Sequence, residues 1–381
     1  MSYRIGTRRY AWNADGLQFF GTTGQLEEDR NYKAIDLDEI LRRKENAKTW
    51  VFPDFAEDVF RKRLAFSGYN CEGRNALLRD VLGKGMAPDD KARGYAGKAP
   101  VRAIKLDESW PVSWKDFLTN LAQTDPLSAR LAEAWARQRS KASVTNTVPE
   151  PPYPWSRSYW RKERLDQALM QIASRCGQRM IWSGREEVLQ LSGGNILVFV
   201  SLCQHIWGAW LRTVRDRLSD DTAIPIIEES VQSVGIHEAS THWYQKITED
   251  ARGDTRQRFV RYVGALLEKQ MFDDLPLSYP GHNGFSLSLD DLERDAVVAQ
   301  LLNDSVAHGD LFDAPHTTKE KNRKPRRKWY LNPVLSPHFR LPHVRTKEPM
   351  YISLDEIRGW MREIGVAVGG LASHHRASSL K

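Results

Sequence analysis

Apolar positions along this chain recur mostly at helical spacing. Residues 53–64 read PDFAEDVFRKRL, with Pro53 suited to a first helical turn and Phe55, Val59, Phe60 and Leu64 on one side. The same period predicts helices over 114–139, with a break at Asp125-Pro126, and over 159–173, 185–191 and 196–214. Further helices are expected over 228–232, 238–247 and 254–270. Residues 68–100 are glycine-rich and charged, with one short helical pattern at 75–81, and read as an irregular insertion. Pro149, Pro151, Pro152 and Pro154 mark residues 141–154 as a linker.

Alternation is confined to short segments. Residues 3–7 and 32–37 read as strands, and Asp38 as the cap of a helix starting at Glu39. A chain that opens on a strand with no earlier element to pair with implies an incomplete sheet. Towards the C-terminus, helices over 288–292 and 293–304 precede strands at 311–312 and 329–331. A charged hairpin links those strands, in the order of a winged-helix domain. Pro333, Pro337, Pro342 and Pro349 are expected to keep the next stretch extended, before a last helix over 355–364.

Composition sharpens this picture in three places. At 381 residues the chain exceeds the usual span of one core. Three cysteines with no CxxC pair point to a reducing compartment. No run of about 18 apolar residues occurs, so no membrane span is expected, and the reading is cytoplasmic. The net charge of +7 is concentrated in residues 319–328, KEKNRKPRRK, which hold seven basic residues and one acidic. Such a cluster attracts phosphate or acidic partners, or simply forms a solvated loop.

Several segments together resemble a bacterial family of AAA-type ATPases related to the origin-recognition and replication-initiation ATPases. They are YRIGTRRY (3–10), YKAIDLD (32–38), FPDFAEDVFRKRL (52–64), LSGGNILVFVSLC (191–203) and SYPGHNGFSL (278–287). WYLNPVLSPHFRLP and TKEPMYIS, between Trp329 and Ser353, complete the set. The resemblance implies a predominantly α (α+β) fold made of a partial α/β ATPase-like core, a helical lid domain and a C-terminal winged-helix domain. The corresponding division is 1–67 for the core, 68–154 for insertion and linker, 155–272 for the lid, 273–369 for the winged helix and 370–381 for a tail. It also implies that Thr7 is sensor-like, its hydroxyl holding water or a terminal phosphate; the alternative is a threonine placed for its β-propensity. The lid helix of such proteins often offers an arginine to nucleotide, whereas Ile196, Leu197 and Val198 here are apolar.

The phosphate loop that ATP hydrolysis requires is GxxxxGK followed by Ser or Thr, and it does not occur in this sequence. The nearest text, VLGKG at 81–85, lacks the correctly spaced glycine and the hydroxyl. No catalytic residue and no metal ligand set is assigned: there is no HExxH, GxSxG or Cys/His cluster among the ten histidines and three cysteines. ATP and magnesium are expected only if a partner or a missing N-terminal half supplies the site. The chain thus reads as a non-hydrolysing portion or degenerate member of a nucleotide-switching ATPase, with a regulatory, DNA-contacting role. In that role, or in a winged-helix protein that uses no nucleotide, Lys321, Arg323, Lys324, Arg326, Arg327 and Lys328 contact the phosphates of double-stranded DNA. A protein-interaction scaffold, in bacterial defence or a DNA-associated complex, is the third reading.

Overall fold

The computed structural model describes residues 33, 35, 37–42, 49–74, 76–139, 147–214, 224–250, 252–278, 283–317, 325–343 and 349–366. The fold is predominantly α, with one small mixed sheet (α+β). No helix among the described residues is long and apolar enough to cross a membrane.

The first helices are α1 (Leu37–Leu41), α2 (Phe52–Phe66), α3 (Leu77–Leu82) and α4 (Pro88–Ala96). Pro53 sits in the first turn of α2, and Phe52, Ala56, Phe60 and Leu64 are buried at intervals of four. Two expectations change here. Lys33 and Ile35 carry no strand and Leu37 already opens α1, so the described residues of the strand expected over 32–37 do not form it. The insertion at 68–100 is not irregular, because Pro88 starts α4 and Ala92, Tyr95 and Ala96 bury its inner face. The strand expected at 3–7 lies outside the described residues.

A second core forms around α4, α5 (Val112–Thr124), α6 (Pro126–Arg139) and α7 (Ser158–Arg175). Pro126 breaks α5 from α6 as its ring demands. Trp114, Trp135 and Trp155 pack together, with ring centroids 5.8 to 6.4 Å apart. This core draws on residues from both sides of position 155, so the expected lid boundary runs through its middle.

The main core joins α2 and α3 to α8 (Arg185–Ser192), α9 (Ile196–Val214), α10 (Glu229–Lys246) and α11 (Gly253–Asp273). One helix, α10, replaces the two expected over 228–247. It continues through Gly235, where a side chain would come within 2.5 Å of the Ile206 backbone of α9.

The C-terminal part runs β1 (Gly284–Ser288), α12 (Leu289–Arg294), α13 (Ala296–Ala307), β2 (Leu311–Thr317) and β3 (Pro325–Leu331). Then come a 3-10 turn (Pro333–Leu335), α14 (Ser336–Phe339), β4 (Met350–Tyr351) and α15 (Leu354–Glu363). The sheet order is β2-β3-β1-β4, antiparallel except for the β1–β4 pair. Pro333 and Pro337 occupy first-turn positions of helical segments, so this stretch is not extended as expected. Helix starts are set by side-chain caps: Asp295 accepts from Val297 and Val298 amides, and Ser353 with Glu356 forms a capping box.

Candidate functional site

Strand β3 is paired on both edges, with Arg327 opposite Pro315 of β2 and Leu287 of β1. Alternation puts Arg327, Trp329 and Leu331 on one face, and Arg326, Lys328 and Tyr330 on the other. Trp329 stacks on Phe285 at 5.5 Å inside the core. This pairing fixes where the three described basic residues of the hairpin go.

Arg326 is half-buried and its guanidinium is spent on the sheet. It donates to Ser286 Oγ (3.1 Å), the Ser286 carbonyl (2.7 Å) and the Ile352 carbonyl (2.9 Å), and lies over the Tyr351 ring. Lys328 is only 3% exposed and lies beside Tyr330. Its ammonium does not face solvent, which departs from the phosphate-contacting role expected of it. Arg327 reaches out: its side chain is 40% exposed, pairs with Asp313 at 2.8 Å and donates to Asn303 of α13 at 3.5 Å. Lys321, Arg323, Lys324 and the sensor-like Thr7 lie outside the described residues.

A second feature is the turn between α8 and α9. Gly193 closes α8 in the left-handed region (φ 61°), and Gly194 follows at φ 85°. A Cβ on Gly193 would stand 2.7 Å from the Phe312 ring of β2, and one on Gly194 2.6 Å from the Leu41 carbonyl. The Arg42 guanidinium sits 4.3 Å above the Phe312 ring. The turn therefore wedges between the end of α1 and the first strand of the hairpin. Asn195 caps α9 through the amides of Leu197 and Val198. At the positions where the resemblance led to an expected arginine, Leu197 is 66% exposed and Val198 is buried.

The glycines of VLGKG have a packing role. Backbone meets backbone where Gly85 crosses Gly184, and Arg185 donates its amide to the Gly83 carbonyl at 3.0 Å. Buried Gln232 ties the crossing together, accepting from the Gly184 amide and donating to the Leu82 and Ile227 carbonyls.

Two buried ionic groups were not found in the sequence. Glu133 accepts from Arg175 at 2.8 Å and from Arg137 at 3.0 Å, with Arg130 3.3 Å away. Burial pushes its carboxyl up, but the guanidiniums of Arg130 and Arg175 outweigh this and hold it below the usual range. Burial also pulls Arg130 down to about 9, which leaves it charged at neutral pH. Arg256 of α11 donates to Asp310 at 2.7 Å, and burial raises that carboxyl to about 6 against the pull of Arg256. The signal was there in charged residues at inward helical positions, but their partners are distant in sequence.

Among the described residues, no group of three or more His, Cys, Asp or Glu is arranged to hold a metal ion. His205 and His237 turn Nδ1 to the carbonyl four residues earlier in their own helices, at 2.8 Å in each case. Burial pushes the Cys203 thiol far above its ordinary value, which keeps it unreactive.

Residues 1–352 match the ORC-CDC6-like family. The chain belongs to this family, and through it is related to the origin-recognition and CDC6 ATPases of the AAA type. No curated protein and no solved structure gives a match.

Proposed function

We propose that this ORC-CDC6-like protein binds duplex DNA through a winged-helix-like C-terminal unit and does not hydrolyse ATP with these residues alone. The observation that carries the DNA reading is the run α11–β1–α12–α13–β2–β3, whose hairpin carries seven basic residues in positions 319–328. A short helix pair followed by a two-stranded hairpin suits a helix in a groove and a basic loop on the backbone. Lys321, Arg323, Lys324 and Arg327 supply the phosphate contacts. Arg326 and Lys328 support the strand instead, because their groups are occupied within the sheet or buried.

The absence of GxxxxGK with a following hydroxyl supports the non-hydrolysing part of the reading. ATP and magnesium enter through a protein partner that carries the phosphate loop. The turn at Gly193-Gly194 then gives the DNA-binding unit a regulatory connection. A shift at Leu41 or Arg42 is felt at Phe312, on the strand that leads into the basic hairpin.

Titrating salt into a duplex-binding assay with the full chain tests the DNA reading. Affinity falls steeply with added salt if phosphate contacts dominate. Absent binding at low salt, or binding indifferent to salt, contradicts it. Tight binding of magnesium–ATP by the purified chain contradicts the nucleotide part.

A further inference from the structure

Helix α9 buries Val198, Phe199, Leu202, Ile206 and Ala209. Its other side carries Leu197, Val200, Gln204, Trp207, Leu211 and Val214, spaced alternately by three and four residues. That is the a/d spacing of a coiled-coil seam, and at about 100° per residue it runs down one side of the helix. Leu197 is 66% exposed and Leu211 37%, Gln204 is exposed, and the other three are half-buried. The seam carries no charge, and Arg212 is the one arginine, lysine or acidic residue in the 19 of the helix. A helix that is apolar on every side is ordinarily covered on every side.

Gly208 stands one turn after Gln204, inside α9, where glycine costs helix stability relative to alanine. The packing of the chain on itself does not call for it. Among the described residues, a Cβ there would come nearest to the flexible end of Arg212, at 3.7 Å. A second helix approaching closely along this side does call for it, and Ser201, seven residues earlier, is small as well. Helix α2 widens the face. Phe52 meets Phe199 edge-on at 6.0 Å, and Tyr69 meets Trp207 at 5.3 Å, so α2 runs beside α9. Phe55 and Phe66, 40% and 95% exposed, lie within about 60° of Phe52 around the α2 axis.

The chemistry of the seam selects its occupant. Without charge it gives DNA or an ionic segment nothing to pair with, and a lipid surface would leave the Gln204 carboxamide without a partner. A second copy satisfies it. Across a two-fold axis the Gln204 carboxamides of the two copies face each other, each donating to the other's oxygen, with apolar layers on both sides. A single polar a position of this kind fixes register and oligomer state. With the α2 flank beside it, the face of α9 spans roughly 500 Å² in projection and more in accessible area. That is on the scale of the about 800 Å² per partner of a stable interface.

We propose that the chain forms a two-fold homodimer through α9, with the Gln204 pair at its centre. Dimerisation of this kind is independent of DNA binding. Sedimentation velocity of the full chain over about 1–100 μM, where interfaces of this size associate, reads it directly. The wild type is expected to pass from monomer to dimer. Gln204→Glu places two like charges across the axis and should weaken dimerisation by about a hundredfold. Gly208→Leu, which the monomer accommodates by moving Arg212, should weaken it by about tenfold. Far-ultraviolet circular dichroism is expected to be unchanged in both. A wild type that stays monomeric throughout overturns the proposal and leaves the face to a different protein or a lipid surface. So does a dimer whose affinity Gln204→Glu leaves unchanged, which puts the two-fold contact elsewhere.

Discussion

Arg256 and Arg327 each hold an aspartate at hydrogen-bond distance, 2.7 Å in one case and 2.8 Å in the other. The Arg256 side chain is 1% exposed and anchors α11 to Asp310, the residue before β2. The Arg327 side chain, on the hairpin, is 40% exposed. The same pairing chemistry thus serves two ends. Inside, breaking the pair strands a charge in a low-dielectric core. At the hairpin, Asp313 is 13% exposed but Arg327 opens to water, so the pair is screened more than the one inside.

Removing the two arginines in turn separates the buried pair from the exposed one. Arg256→Ala is expected to lose about 3–5 kcal/mol in urea denaturation, because Asp310 is left buried without its partner. A loss no larger than that of Arg327→Ala would erase the distinction. Gly193→Ala comes next: strain at φ 61° and the clash with Phe312 together cost about 2–3 kcal/mol. Adding Phe312→Ala should recover part of it in a double-mutant cycle, and strict additivity would mean that the turn and the hairpin strand are uncoupled.

Arg326→Ala is expected to lose about 1.5–3 kcal/mol, as its bonds to the Ser286 and Ile352 carbonyls disappear. Arg327→Ala should lose less than about 1 kcal/mol, yet lower the salt slope of DNA binding by about one. A separate readout is pH dependence. Asp310 is raised to about 6 in the folded chain, above its unfolded value, so its contribution is fully present below the unfolded pKa and fades as pH rises through about 6. Asp310→Asn should therefore remove a decline in stability between about pH 4 and 6. An unchanged stability profile would show that Arg256 keeps the carboxylate ionised throughout.

Much of the helical framework was legible because one face of each helix is apolar at a steady period. The pattern over 196–214 gave α9 to the residue, and those over 185–191 and 159–173 came within two residues of α8 and α7. Strand β1 was not read as an element because it is five residues long, and its partner in β3 begins far along the chain. Pro333 misled for a related reason: it was read as keeping the chain extended, and it sits in the first turn of a helical segment. At the candidate site, sequence counted the basic residues correctly but did not reveal their directions. That Arg326 turns to backbone carbonyls and Lys328 is covered depends on β3 being paired on both edges, which no local pattern discloses. Asp310 and Arg256 stand 54 positions apart, and only the packing of α11 on the sheet joins them.

The most direct test of the central claim is the salt dependence of duplex binding by the full chain and by a variant with Lys321, Arg323 and Lys324 all changed to Gln. If the hairpin supplies the phosphate contacts, the logarithmic slope against salt should shrink by about 0.9 for each contact removed, with a matching loss of affinity at low salt. An unchanged slope in the variant would place the contacts elsewhere and contradict the account.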